Sequence, residues 1–133
     1  KRVELGLDVS GHGFGDKANC AEFCNHTHHF HVNGKEFVRK QPWVGNYYGC
    51  AEQVKFGTVP NQFGTWTIGR AGWCPGLDIK PTVWDVTEHA GIGDKVTLTY
   101  KGLFQGKNYK SEKGNGGGFG AKIDLDSWLI LYE

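Results

Sequence analysis

Apolar and polar positions alternate with a period of two along most of this 133-residue chain. Near its start, Val3, Leu5, Leu7 and Val9 alternate with polar residues and glycine, which predicts a strand with one buried face. Residues 123–132 repeat the alternation over a longer run and predict a second strand at the other end of the chain. The pattern therefore favours an all-β fold.

A hairpin and several shorter strands are predicted between these two runs. The dipeptide Asn33-Gly34 separates the β-prone runs 28–32 and 35–39, and this pair of residues accepts the positive φ angles of a two-residue turn. Residues 65–69, 83–86 and 95–100 predict further strands, and residues 106–120 a flexible loop. With 21 glycines and few helical windows, the chain is predicted to be one antiparallel jelly-roll β-sandwich domain over residues 1–133.

Charge and hydropathy narrow the possible functions. The formal net charge is +1 and basic residues are scattered, so neither a nucleic-acid footprint nor a basic membrane-binding patch is expected. No apolar run approaches the roughly 18 residues of a membrane-spanning helix. The sequence begins at Lys1 and contains no methionine, which favours a processed secreted product or a piece of a larger protein.

Four cysteines in a small glycine-rich chain predict two disulfides and an oxidising compartment: secreted, periplasmic or at the cell surface. The spacing does not match the paired Cys-x-x-Cys motifs of a four-thiolate zinc site. Of the three possible pairings we expect Cys20–Cys24, which closes a local loop, together with Cys50–Cys74, which closes a long one. The second bridge is expected to stabilise the fold by roughly 3–4 kcal/mol.

The Cys20–Cys24 loop encloses a single carboxylate, Glu22. A loop this small holds its side chains in few orientations, which is what a catalytic or binding carboxylate requires. Glu22 is therefore the first candidate for a functional residue.

Three segments resemble the C-terminal domain of the peptide N-glycosidase F family, amidases that remove N-linked glycans from asparagine. They are residues 20–24 (Cys-Ala-Glu-Phe-Cys), Cys50 after Tyr48-Gly49, and residues 70–76 (Arg-Ala-Gly-Trp-Cys-Pro-Gly). The resemblance implies an eight-stranded jelly roll and supports the same disulfide pairing. It also implies an active-site role for Glu22 and a place for Arg70 and Trp73 in the glycan cleft.

The resemblance covers only part of such an enzyme. The family's principal catalytic aspartate lies on a separate N-terminal jelly roll, which no stretch of this chain resembles. We therefore expect a glycan-facing module that is catalytically incomplete alone, needs no cofactor, and has as partners an N-glycan or other carbohydrate and a second jelly-roll domain or subunit. His12, in a glycine-rich turn, and Trp43, in an aromatic loop, are further candidates for ligand binding. A structural or assembly module is another alternative.

A histidine cluster supports a different alternative, a copper-binding domain. Residues 26–29 (His-Thr-His-His) resemble a segment of peptidylglycine α-hydroxylating monooxygenase, a copper enzyme built from similar jelly rolls. In a strand, His26 and His28 point to one face and His29 and His31 to the other, and either pair of imidazoles can share one ion. We favour His26 and His28 over His29 and His31. That family's third ligand is a methionine, so its substitute here would come from Glu22, His12 or His89.

Overall fold

Two antiparallel sheets stack face to face in a computed structural model that describes residues 1–114, 118 and 120–133. The chain contains a one-turn helix and short 3₁₀ helices at 17–19, 51–56 and 62–64. The strands and the helix are β1 (Arg2–His12), α1 (Cys20–Phe23), β2 (Thr27–Val32), β3 (Lys35–Lys40), β4 (Thr82–Asp85), β5 (Leu98–Phe104), β6 (Lys107–Asn108) and β7 (Lys122–Tyr132). Within the described residues, no helix is long and apolar enough to cross a membrane.

One sheet has the strand order β4-β1-β7 and the other β3-β2-β5-β6. The two terminal strands pair along their whole length, from Arg2 opposite Tyr132 to His12 opposite Lys122. This architecture and the disulfides Cys20–Cys24 and Cys50–Cys74 confirm the predicted jelly-roll sandwich and its pairing. Among the described residues, one sheet has three strands and the other has four. The total is one fewer than the eight strands that the resemblance implies.

The core lies between the sheets, and its largest contribution comes from β1. Val3, Leu5, Leu7 and Val9 are all buried, and they form one cluster with Phe30 and other residues of the facing sheet. Burying such side chains stabilises the fold by about 1.5–3 kcal/mol each. The predicted alternation of β1 is therefore correct on its core side.

The prediction that only one face of β1 is buried is wrong. Glu4 and Gly6, on the opposite face, are also buried. Trp128 lies against Gly6, where a Cβ atom would collide with the indole ring. The hydroxyl of Tyr132 donates to Glu4 Oε2 at 2.8 Å. Aromatic side chains of the neighbouring strand therefore cover positions that the sequence pattern assigns to solvent.

The hairpin is confirmed. β2 and β3 pair with Phe30 opposite Phe37, and Asn33 and Gly34 form the turn with φ angles of 47° and 90°. The pairing orients successive residues of β2 to opposite faces of the sheet. His28 and Phe30 thus face the core, whereas His29 lies on the outer face, where its Nδ1 contacts Glu36 at 2.9 Å.

Residues 41–81 contain no strand, so the strand predicted at 65–69 is wrong. The chain forms turns there, and the backbone amides of Cys50 and Ala51 both donate to the carbonyl of Thr67. Of the predicted loop at 106–120, residues 107–108 form β6 and Lys113 bridges to Asp16, while residues 115–117 and 119 lie outside the described residues. The long turn segment places Arg70 beside α1.

Candidate functional site

The Cys20–Cys24 disulfide fixes the backbone on either side of Glu22. α1 occupies only Cys20–Phe23, and the amide of Cys24 donates to the carbonyl of Cys20 at 2.9 Å. Four residues cannot form a stable helix alone, since nucleation is unfavourable. The disulfide and tertiary contacts thus hold this turn, and Glu22 is 8% exposed within it.

The Glu22 carboxylate has two protein donors. Arg70 Nε donates to Oε1 at 2.8 Å, and the amide of Gly13 donates to Oε2 over a longer 3.4 Å. The ion pair is buried, so solvent screens it little. Glu22 is therefore oriented by Arg70 through one oxygen, and its second oxygen is the less tightly bound.

Arg70 is fully buried and almost saturated by protein acceptors. Besides Glu22, its Nη1 donates to the carbonyls of Thr65 and Ile68 at 2.9 and 3.0 Å, and its Nη2 donates to Thr65 Oγ1 at 2.8 Å. A guanidinium has five N–H donors, so one remains. Arg70 is placed to hold Glu22 rather than to reach toward a ligand.

Aromatic rings surround this ion pair. The Arg70 guanidinium carbon lies 5.1 Å from the ring centroids of both Phe23 and Trp73. His12 stacks on Trp73 with ring centroids 5.2 Å apart, and Trp73 Nε1 donates to the carbonyl of Gly11 at 3.0 Å. We call His12, Glu22, Arg70 and Trp73 the Glu22–Arg70 cluster, because each member contacts another.

Trp43 joins the cluster through the backbone. Its Nε1 donates to the carbonyl of Arg70 at 3.2 Å, and the residue is 37% exposed. Trp43 and Trp73 both line a cavity of about 210 Å³ beside the cluster. Four ligand-binding candidates from the sequence, together with the catalytic candidate Glu22, are thus neighbours in space.

The candidate copper ligands lie elsewhere: His26 comes just before β2, and His28 lies on the core side of β2. His26 and His28 are buried, with ring centroids 6.4 Å apart. His28 Nδ1 contacts the hydroxyl of Tyr100 at 2.9 Å, and His26 packs 4.4 Å from the ring of Tyr109. His26 Nδ1 and His28 Nε2 are buried without a partner in the described structure.

Burial keeps this histidine pair neutral. It lowers the pKa of His26, and it lowers the pKa of His28 to about 4, with the neighbouring His26 and Arg39 charges adding to the effect. Burial also raises the pKa of Tyr100 to about 12. Among the residues that the structure describes, no three His, Cys, Asp or Glu side chains are grouped so as to hold a metal ion.

Comparison with known proteins places the chain in a family. The family described as "Peptide-N-glycosidase F, C terminal" matches residues 1–130. The chain belongs to this family. It is 32% identical over 111 residues to peptide-N(4)-(N-acetyl-beta-D-glucosaminyl)asparagine amidase F of Elizabethkingia miricola, an alignment that covers 84% of this chain and 27% of that protein.

A solved structure of recombinant peptide:N-glycanase F (PNGase F) supports the fold of this family member. It matches with a TM-score of 0.64 and 24% identity, covering 97% of this chain and 38% of the other. The chain thus spans less than half the length of either protein. The resemblance found in the three sequence motifs is confirmed by these matches.

Sequence reasoning missed several residues that build the site. Phe23 packs on Arg70, Gly13 donates to Glu22, and Thr65 supplies two of the four acceptors of Arg70. Thr65 was assigned to a strand, and its role depends on the turn that replaces that strand. Phe23 could have been predicted from the sequence, since it lies inside the cysteine loop next to Glu22.

Proposed function

We propose that this chain is the glycan-facing half of an N-glycan amidase and that Glu22 contacts the sugar–asparagine linkage. The observation that carries the proposal is the buried Glu22–Arg70 ion pair inside a disulfide-closed turn, in a member of the peptide N-glycosidase F C-terminal family. A buried ion pair carries a desolvation cost, and the disulfide-closed turn holds this carboxylate in one orientation, as a binding or catalytic carboxylate requires.

In this proposal the Glu22 carboxylate acts as a hydrogen-bond acceptor. Cleaving an amide requires a base that activates water and a donor that stabilises the tetrahedral intermediate. Arg70 holds Glu22 through Oε1 and leaves Oε2, with its long contact to Gly13, as the oxygen that receives a hydrogen bond from substrate or water. His12 and Trp73 stack on each other beside the pair, and both are partly exposed.

Catalysis is incomplete in this module. The resemblance implies that a second jelly roll carries the principal catalytic aspartate, and the chain matches only 27% of its amidase relative. We therefore propose an N-glycan as one partner and a second jelly-roll domain or subunit as the other. Two disulfides support secretion, because such bonds persist in oxidising compartments.

The test is binding and turnover of a glycopeptide that carries N,N′-diacetylchitobiose on asparagine. We expect calorimetry to show binding by the chain and mass spectrometry to show no released glycan. Glu22→Gln should weaken binding about tenfold, since a hydrogen bond to a charged group contributes about 1.5–3 kcal/mol. This substitution removes the ionic partner of Arg70 and lowers the stability of the variant. Binding is therefore measured below the melting temperature of the variant, where it is folded.

Glu36→Gln is the matched control, since it removes an exposed carboxylate on β3. It should leave binding unchanged. Equal binding by wild type and Glu22→Gln would contradict the role of Glu22. Release of glycan by the chain alone would contradict the need for a second half, and no binding at all would favour a structural or assembly module.

Copper binding at His26 and His28 is the second candidate function. The observation that favours it is that each imidazole keeps one buried nitrogen, His26 Nδ1 and His28 Nε2, without a partner. Neutral imidazole is a good ligand for copper or zinc. The residues that hold the ion would be these two alone, since the third ligand proposed from sequence is not grouped with them among the described residues.

This candidate is tested by adding Cu²⁺ or Zn²⁺ to metal-stripped protein and measuring the melting temperature at each metal concentration. Copper binding should raise the melting temperature, because a ligand that binds only the folded state stabilises it. A His26→Ala/His28→Ala variant should lose the effect, and a His29→Ala/His31→Ala variant, on the outer face of β2, should keep it. An unchanged melting temperature in the wild type would remove copper from consideration.

A further inference from the structure

A small cavity lies beside the Glu22–Arg70 cluster and shares one wall with it. Trp43 and Trp73 form two of its walls, and both contact Arg70, the first through the Arg70 carbonyl and the second through the guanidinium. Its volume of about 210 Å³ is below the roughly 300 Å³ at which sites for drug-sized ligands begin. The cavity therefore suits a single ring rather than an oligosaccharide.

The shape of this cavity depends on glycine and on a disulfide. Gly72 lies in its lining with a φ of 85°, and a Cβ atom there would collide with the carbonyl oxygen of Val9. Gly49, also in the lining, has space for no more than a hydrogen, since a Cβ would lie 2.8 Å from the carbonyl oxygen of Trp43. Cys74, bridged to Cys50, completes this part of the wall. The cavity is consequently held open by rigid backbone.

Arg39 gives the cavity a buried positive charge that forms no ion pair among the described residues. The side chain lines the cavity and is 7% exposed, yet its Nη1 has no partner and its Nη2 makes only a long contact of 3.5 Å with the carbonyl of Lys80. No carboxylate lies within ion-pair distance of Arg39 in the described structure, although Asp8 attracts it from farther away. Burial lowers the pKa of Arg39, which shows the cost of keeping this charge inside.

The remaining polar groups of the lining can donate hydrogen bonds to the hydroxyls of a sugar or accept hydrogen bonds from them. Gln53, Asp78 and Lys80 line the cavity, and the unpartnered Nε2 of buried Gln41 lies next to Gly72. Lys80 adds a second positive charge against the single negative charge of Asp78. Because the Arg39 guanidinium is delocalised, a carboxylate in the cavity is attracted by its charge even though Nη1 itself is covered.

We propose that the cavity between Trp43 and Trp73 is a binding site for a single pyranose ring that carries a carboxylate. The indole rings contact the apolar faces of the sugar, and Arg39 with Lys80 attracts its carboxylate. The inference rests on the proposed function in taking carbohydrate as the ligand class. It adds a site for an acidic sugar beside the Glu22–Arg70 cluster.

The experiment compares two ligands that differ only at C6, methyl β-glucuronide and methyl β-glucoside. Each is titrated into the full chain while the indole N–H signals of its five tryptophans are followed by NMR. We expect the glucuronide to shift the signals of Trp43 and Trp73 and to bind about tenfold more tightly than the glucoside. Equal affinity for the two ligands, or shifts at other tryptophans only, would overturn the proposal.

Lys80→Ala and Lys55→Ala form a matched pair of variants. Both ammonium groups lie over the ring of Phe56, at 5.3 and 4.9 Å from its centroid, but only Lys80 lines the cavity. Lys80→Ala should weaken glucuronide binding about two- to fivefold, and Lys55→Ala should not change it. An equal effect of both variants would show a general charge effect and overturn the site.

Arg39→Gln tests the buried charge directly and should abolish the preference for the glucuronide. Arg39→Lys, which keeps the charge, should retain part of that preference even if the Gln variant fails to fold. Tighter binding of the 6-sulfate of the glucoside than of the glucuronide would overturn the assignment of a carboxylate.

Binding of the neutral chitobiose glycopeptide separates this inference from the proposed function. Glycopeptide binding with no preference for the glucuronide overturns the acidic-sugar site alone. Absence of binding for every carbohydrate overturns both.

Discussion

At the scale of single residues, the site depends on Arg70 more than on any other side chain. A buried guanidinium is stable only where its N–H groups find acceptors, and four of the five do so within one turn and α1. Thr65 supplies two of these acceptors, a carbonyl and a hydroxyl. The orientation of Glu22 is therefore set by a residue 48 positions away, which is itself set by a local turn.

Thr65→Val should lower the free energy of unfolding by about 1–2 kcal/mol. The change keeps the shape of the side chain but removes its acceptor, and it leaves an N–H of Arg70 Nη2 unpaired. Urea unfolding of the two proteins measures the difference. Thr65→Ser retains the hydroxyl, and its free energy of unfolding should remain within about 0.5 kcal/mol of wild type. If both variants lose a similar amount of stability, the Thr65 methyl group and not the hydrogen bond is responsible.

His28 makes the stability of the protein depend on pH. Its pKa is about 4 in the folded chain and 6.5 for the free side chain, so the unfolded chain binds its proton first as the pH falls. Neutral His28 makes its full contribution to the free energy of unfolding above pH 6.5. This contribution decreases as the pH falls toward 4, and below pH 4 it no longer changes. The total loss is about 3 kcal/mol.

Urea unfolding between pH 7.5 and 4.5 tests this dependence. His28→Gln should reduce the slope between pH 6.5 and 5, where carboxylates with ordinary pKa values remain charged. His89→Gln, which alters a histidine outside β2, should leave the slope unchanged. A wild-type protein with constant stability over this interval would contradict the buried, neutral state of His28.

At the scale of elements, the site is assembled where three segments meet. The amide of Gly11, near the end of β1, donates to the carbonyl of Ala71 at 2.8 Å, and the amide of Ala71 donates to the carbonyl of Glu22 at 2.8 Å. β1, the turn before Cys74 and α1 are thus joined by backbone hydrogen bonds. Gly11 is required there, because a Cβ atom would collide with the carbonyl oxygen of Ala21.

The two disulfides should differ in what they contribute. Removing Cys50–Cys74 by alanine substitution should lower the free energy of unfolding by about 3–4 kcal/mol, and removing Cys20–Cys24 by about 2 kcal/mol, because the longer loop gains more freedom when unfolded. The second variant should lose more glycopeptide affinity, since the loop holds Glu22. Chemical denaturation and calorimetry on both variants measure the two effects, and the reverse order of stability would contradict the loop-length argument.

At the scale of the whole molecule, the sandwich separates two polar clusters. The pairing of β1 with β7 closes one sheet, and the residues at the far end of β1 contact the Glu22–Arg70 cluster. His28 on β2 of the other sheet and His26 just before it are buried, with His26 Nε2 4.0 Å from Cys20 Sγ. The glycan and copper proposals therefore use different side chains that meet at the Cys20–Cys24 loop.

Much of the fold could be predicted because its signals are local. The strand β1, the Asn33-Gly34 turn and the Cys20–Cys24 bridge each depend on residues close in sequence, and each is confirmed by the structure, although both faces of β1 are buried. The strand expected at 65–69 failed for a physical reason. Its β-prone side chains favour extended backbone, but the acceptors needed by buried Arg70 stabilise a turn there instead.

The sequence by itself determined the all-β class and a carboxylate between two close cysteines, because these follow from short-range periodicity and spacing, and the family resemblance supported the expected disulfide pairing. Only the tertiary structure decided that Arg70 is buried against Glu22, that His12 stacks on Trp73, and that a buried Arg39 lines a cavity between two tryptophans. Those contacts join residues from distant segments. Their geometry is set by how the two sheets and the long turn segment pack, which no local pattern encodes.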